Sequence, residues 1–491
     1  MTRRPKVAVI GGGLAGIAAC ELMSRNPNRP FDLFLLEGRP HIGGRVGSYT
    51  DKETGKEVDS GQHLFLSCYT ETQQLLDQLG TRNDLVFFDR LFFPLWDRER
   101  GLHSLDVPGS DNPLATASGL LQYGGLPFSS RLAFLRLSRA IPKTDSDVDH
   151  LSAHEFLKRA GQPEAVIDRF WELVILSATN LPSKTVSAAI LVRILKESLL
   201  KGGSHTLPGY NAIPLSELFV RPAMDLLSKR GVEIRLKTRV TDLTEEAGRI
   251  TGIRTSTDFI PLGAEDHLLI AVPPWSFEKL APPGWQGSPL MEHMSQLSYP
   301  SPILSVHLQL DFPVNLPVIT GFHESRIHWL FNKEAMEQRL VPEKRSSWFD
   351  WADHPGDDMF PTSLVGATVS GAGEMMTLSD GEIGAICLEH IRRIDRHSTA
   401  SLKLVRAVRD RFATPVLGVG QSTFRPDPRT SYPNLWIAGD TTDTGLPATM
   451  EGAVRSGTRA GTLILGALST EHTPNTSCDR TWLWFCWLSS S

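Results

Sequence analysis

Residues 6–10, Lys-Val-Ala-Val-Ile, run straight into Gly11-Gly12-Gly13-Leu14-Ala15-Gly16, and no other feature of the chain narrows its fold as much. A β-branched run of this length bounded by glycine is too short for a helix and reads as a buried parallel strand. The alanine-rich stretch that follows, to about residue 23, reads as a helix, and residues 31–36 read as a second strand stopping on Glu37. Strand, glycine turn, helix and strand in this order make a β-α-β unit. The expected fold class is α/β, a Rossmann-type dinucleotide-binding domain with an inserted α+β substrate domain.

The glycine spacing G-x-G-x-x-G assigns a task to each position. Gly11 allows the tight turn, Gly13 lets the backbone approach a pyrophosphate, and Gly16 lets helix and strand pack closely. The helix N-terminus adds unpaired N–H groups and the positive end of its dipole. Glu37, at the end of the second strand, can accept hydrogen bonds from ribose hydroxyls and would repel a 2′-phosphate, which disfavours NADP. Directly after it, Gly43-Gly44-Arg45 suits a backbone wrapping a pyrophosphate, with the guanidinium as countercharge. Near the other end, Trp436-Ile437-Ala438 reads as a strand ending in Gly439-Asp440, and Thr449-Met450-Glu451 opens a helix.

Bulk properties exclude several classes. Among 491 residues, 41% are hydrophobic and 21% charged, and the net charge of -5 gives no reason to expect a nucleic-acid partner. Five scattered cysteines without C-x-x-C spacing argue against a disulfide framework or a metal site and fit a reducing cytoplasm. The first residues lack the apolar stretch of a signal peptide, and no stretch approaches the roughly 18 apolar residues of a spanning helix.

The motifs at the two ends resemble those of the amine oxidase and phytoene desaturase flavoproteins. In that superfamily Gly43, Gly44 and Arg45 match the second glycine motif, Asp440 matches the aspartate of the ribityl or phosphate region, and the helix from Thr449 faces the flavin pyrimidine. The strand 233–240 resembles the one whose valine, here Val240, meets the adenine. The implied cofactor is FAD, held by Gly11, Gly13, Gly16, Glu37, Gly43, Gly44, Arg45, Val240, Gly439, Asp440, Thr449, Met450 and Glu451. Three segments narrow the resemblance to the hydroxysqualene dehydroxylases: Asp59-Ser60-Gly61-Gln62-His63 with Tyr69-Thr70-Glu71-Thr72, Leu207-Pro208-Gly209-Tyr210-Asn211, and Gly445-Leu446-Pro447-Ala448-Thr449. Where that family has tryptophan after Gly-Asp, this chain has Thr441, and Ser67-Cys68 stand where it has Gly-Ala.

The resemblance implies a long isoprenoid substrate and reductive loss of an allylic hydroxyl, with His63 the first candidate for the proton donor and Asp59 and Tyr69 weaker ones. A carotenoid-type desaturase, a non-catalytic prenyl-lipid carrier and an amine oxidase remain alternatives. The electron donor that would reduce the flavin is not legible. The expected division is an FAD-binding domain in three parts (1–85, 205–280, 405–470), a largely helical region facing substrate or membrane (86–204), the sheet part of a substrate domain (281–404) and a tail (471–491). Residues 85–96, 114–126 and 132–141 are apolar enough to serve as core, as a substrate tunnel or as a patch for peripheral membrane contact. The expected location is cytoplasmic, with such contact at the inner face of the membrane.

Overall fold

The computed structural model describes residues 3–339 and 359–471, apart from 53, 54 and 56. Five parallel strands form the nucleotide-type sheet, in the order Glu233–Arg235, Asp32–Leu36, Lys6–Ile10, His267–Ile270 and Leu435–Ile437. Their apolar residues are buried on both faces, as a covered parallel sheet requires. One face packs on the helices Leu14–Ser24, Arg221–Lys229 and Met450–Glu471 through Ile17, Leu35, Leu227 and Ile464. The other face packs, through Phe34 and Leu268, on a three-stranded antiparallel sheet of Val240–Glu246, Arg249–Thr255 and Phe259–Pro261.

A second, seven-stranded sheet runs in the order Leu402–Pro415, Pro300–Leu316, Phe360–Ser370, Trp329–Asn332, Ile319–Phe322, Arg90–Asp97 and Gly101–Pro108. Its pairs are antiparallel except Ile319–Phe322 against Arg90–Asp97. A capped helix, Asp380–Ile394, covers one face, and the helices between residues 113 and 197 pack on the other.

Two expectations need correction. Residues 85–96 are strand rather than helix: Leu85–Phe87 joins a small sheet, and Arg90–Asp97 with Gly101–Pro108 forms a hairpin on the edge of the large one. Asp97 accepts from the N–H groups of Glu99 and Arg100, and Gly101 turns with φ +76°. The hairpin therefore belongs with residues 300–415, and the region 86–204 is helical only from Pro113 onward. Residues 232–240 likewise do not make one strand. The chain breaks at Lys237 (φ +53°), because Lys237 and Thr238 donate to the carbonyls of Arg39 and Glu37, so Val240 starts the antiparallel sheet instead. The aromatic stretch 482–488 lies outside the described residues. Among the described residues no helix is long and apolar enough to cross a membrane.

Candidate cofactor cradle and the cavity beside it

The first glycine loop and the second are one structure. Gly43 donates to the Gly12 carbonyl at 2.7 Å, and Gly13 and Gly43 form a parallel bridge. A Cβ on Gly16 would lie 2.0 Å from the Gly11 oxygen, so only glycine allows helix and turn to meet there. Gly43, at φ +109°, would place a Cβ 2.3 Å from the Val46 oxygen. Gly13 differs, because a Cβ there meets nothing within 4 Å. It caps the helix Leu14–Ser24 without a side-chain bond, so the first-turn N–H groups face open space as a phosphate would need. Glu37 stands at the rim, its two oxygens accepting from Gly12 and Arg39 N–H at 2.8 Å each. Each oxygen keeps a lone pair for a ribose hydroxyl.

The C-terminal motif closes the cradle from the other side. Arg45 pairs with the buried Asp440 at 2.7 Å and donates to the Ala413 carbonyl at 2.7 Å. Gly439 (φ +142°) donates to Ser456 Oγ, which ties the strand end to the final helix. The Thr449 hydroxyl accepts from Gly452 N–H at 3.2 Å, leaving the backbone of Met450 and Glu451 at the head of that helix. The Glu451 side chain turns away from the cradle. It accepts from Glu71 and Thr72 N–H and the Thr72 hydroxyl, and so caps the helix Thr70–Leu79. Of the expected contacts, Glu451 is thus available through its main chain only. Val240 is buried, at the end of a segment in which Arg239 lies beside Gly38.

Sequence reasoning missed Arg425. Its buried guanidinium donates to the carbonyls of Asp440, Thr441, Thr442 and Leu446 and clamps the turn that carries Asp440. Burial pushes its pKa down to about 10, which still leaves it charged at neutral pH. An isolated arginine before a proline gives no signal in a sequence.

Beside the cradle lies a cavity that opens to solvent. Its wall includes Val58, Leu308, Met336, Leu364 and Val365, and its polar end includes Asp59, Asn211, His307 and Lys333. Asp59 is a hub: Oδ1 accepts from Ser48 Oγ and Leu215 N–H, Oδ2 from Asn211 Nδ2, and the carbonyl faces His307 Nε2 at 3.0 Å. His63 feels the charges of both Asp59 and Arg45, and its Nδ1 lies 2.9 Å from the Gly61 carbonyl. Burial lowers its pKa, so at neutral pH it is a neutral imidazole whose Nδ1–H donates to that carbonyl. Burial likewise holds the Tyr69 phenol protonated, beside Thr449. His307 and Lys333 were not singled out from sequence, because they lie 248 and 271 residues from the Asp59 and Gln62 that they meet.

These motifs belong to a known pattern that covers most of the chain. A family model described as flavin-containing amine oxidoreductase matches residues 14–465. The chain belongs to the flavin-containing amine oxidoreductase family. Among curated relatives, the chain is 29% identical to the hydroxysqualene dehydroxylase of Rhodopseudomonas palustris, over 94% of this chain and 98% of that protein. It is 22% identical to the 15-cis-phytoene desaturase of Synechococcus elongatus, over 92% of this chain and 94% of that one. Among solved structures it resembles the cyclohexylamine oxidase of Brevibacterium oxydans in fold, with TM-score 0.64 at 14% identity, covering 96% of this chain and all of that one. The open cradle at Gly13 fits the flavin nucleotide that this family carries.

Proposed function

We propose that this oxidoreductase binds its flavin as FAD and reductively removes the hydroxyl of hydroxysqualene, giving squalene and water. The observation that carries the reading is the two-ended cradle, open at Gly13, beside a largely apolar cavity. Near full-length similarity to hydroxysqualene dehydroxylases sets the substrate ahead of the carotenoids of the more distant relatives. A reduced flavin bound there supplies hydride. The helix heads at Leu14 and Met450 hold negative charge, Glu37 holds a ribose, and the Arg45–Asp440 pair fixes the join between the two loops. The apolar wall excludes water and orients a hydrocarbon chain.

We also propose that the chain meets its lipid-soluble substrate at a membrane surface. Leu114 and Phe128 are 76% and 66% exposed, and Leu132, Leu135 and Leu200 are exposed on neighbouring short helices. Exposed Arg136, Arg139 and Lys201 lie among them, which suits a lipid surface with anionic headgroups.

The test is anaerobic. Purified protein should be yellow, and after reduction its flavin should be reoxidised by hydroxysqualene with stoichiometric squalene. A yellow protein that ignores hydroxysqualene but is reduced by phytoene would make it a desaturase. A colourless protein that takes up no added FAD would make it a carrier.

A further inference from the structure

Loss of a hydroxyl as water needs a proton at the oxygen, and three basic groups stand in or beside the polar end of the cavity, two of them, His307 and Lys333, on its lining. His63 and His307 are both kept neutral by burial, His307 with its pKa pushed down to about 4. Lys333 is the third. It opens the short helix Lys333–Glu337, directly after the strand Trp329–Asn332, so its position is set by the large sheet. Its aliphatic stem lies over Gly366, where an added Cβ would come within 3.4 Å of Lys333 Cδ. His307 and Phe331 both stand opposite Gly366 in the neighbouring strands, so the stem follows the one gap in that row of side chains.

The tip of Lys333 donates to Gln62 Oε1 at 2.6 Å, and Gln62 in turn donates to Asn211 and to the His63 carbonyl. Most other charges at the cavity are matched. Asp51 pairs with Arg406 at 3.1 Å and Glu57 with Arg221 at 2.8 Å, while the Asp59 carboxylate accepts three hydrogen bonds, from Ser48, Asn211 and Leu215. An ammonium has three N–H bonds, and Gln62 uses one. Burial lowers the Lys333 pKa, against the opposing pull of Asp59 and of Glu337 on its own helix. That direction makes the ammonium a better acid, as a proton donor near neutral pH requires.

We propose that this cavity takes the hydroxyl-bearing end of the isoprenoid and that Lys333 gives the departing oxygen its proton. The proposal rests on the hydroxysqualene reading above. The C–O bond breaks with both electrons passing to oxygen, the proton moves from Nζ to that oxygen, and water leaves. The carbon gains the hydride that a reduced flavin supplies. Lys333, left as a neutral amine, recovers a proton from solvent through the mouth of the cavity. Lys333 is then a catalytic residue, and Gln62 a positioning residue that holds its tip next to the Gly61–His63 segment.

The experiment compares the parent protein with Lys333→Met and Lys333→Arg in single-turnover reoxidation of the reduced flavin, across pH. The parent rate should fall as pH rises through the Lys333 pKa. Lys333→Met should stay yellow and lose about 100-fold or more in rate, with no such limb in its pH profile. Lys333→Arg keeps the charge but not the labile proton, and should not restore the rate. The acetate ester of hydroxysqualene leaves as carboxylate and needs no acid, so on it both variants should match the parent within a few fold. A Lys333→Met protein as fast as the parent on the alcohol would overturn the assignment while leaving the dehydroxylase reading intact. So would equal losses on alcohol and ester, which mark a structural role. A parent that never reacts with hydroxysqualene removes both. Should Lys333→Met lose its flavin, Lys333→Arg carries the same comparison.

Discussion

A methyl group added at Gly16 would land 2.0 Å from the Gly11 oxygen, whereas one added at Gly13 meets nothing within 4 Å. The two substitutions should therefore fail in different ways. Gly16→Ala should lower the yield and melting temperature of the apoprotein, because helix and turn must separate. Gly13→Ala should cost the apoprotein less than about 1 kcal/mol, since only a cap residue changes. It should still weaken flavin binding, because its methyl group points where a phosphate must come. Titrating both apoproteins with FAD and melting them separates these outcomes; equal loss of stability in both would refute the distinction. Glu451→Ala makes the complementary case. It removes the cap of a neighbouring helix and should cost roughly 1–2 kcal/mol. The protein should remain yellow, and a colourless but stable variant would return the carboxylate to the flavin.

At the level of elements, the sequence was legible wherever a local rule set the structure. The first strand, its glycine turn and the final helix were readable because glycine spacing and apolar runs depend only on near neighbours. Residues 85–96 were not, because the run Leu91-Phe92-Phe93-Pro94-Leu95-Trp96 is apolar on both faces and carries no clear period of two. It is a strand because its hairpin partner and Ile319–Phe322 lie on either side. The glycine turns of the cradle were legible for the same reason as the first strand, whereas His307 and Lys333 were hidden because only the large sheet brings them to the Asp59–His63 segment. The short helices between 113 and 140 carry the exposed apolar patch, and a prediction belongs to them. Replacing Phe128 and Leu135 together by Asp should abolish sedimentation with anionic vesicles while leaving the unfolding free energy within about 1 kcal/mol of the parent. Unchanged binding to vesicles would show that this face meets something else.

Across the whole molecule, three histidines in or next to strands of the large sheet set a common response to acid. Burial pushes His307, His323 and His328 down to about 4 each. In the unfolded chain they titrate near 6.5. Between those values the unfolded state binds more protons than the folded one, so stability falls as pH falls. The loss begins near pH 6.5 and reaches about 1.4 kcal/mol per pH unit for each histidine before levelling off near 4. The melting temperature of the apoprotein should drop over that window. His323→Phe should soften the slope, and a melting temperature that is flat from pH 7 to about 4.5 would contradict the burial described.

The order of strands in the parallel sheet also dictates a timetable. Of the five strands the central one is made first, and the strand Leu435–Ile437 that completes one edge and delivers Asp440 is made last. At typical rates of synthesis the two halves of the cradle are born roughly 20–90 s apart. During that interval the glycine loop has no partner for Arg45, and the edge of His267–Ile270 lies open. A newly made chain must wait, shielded from self-association, until Asp440 has been made before it can take up its cofactor.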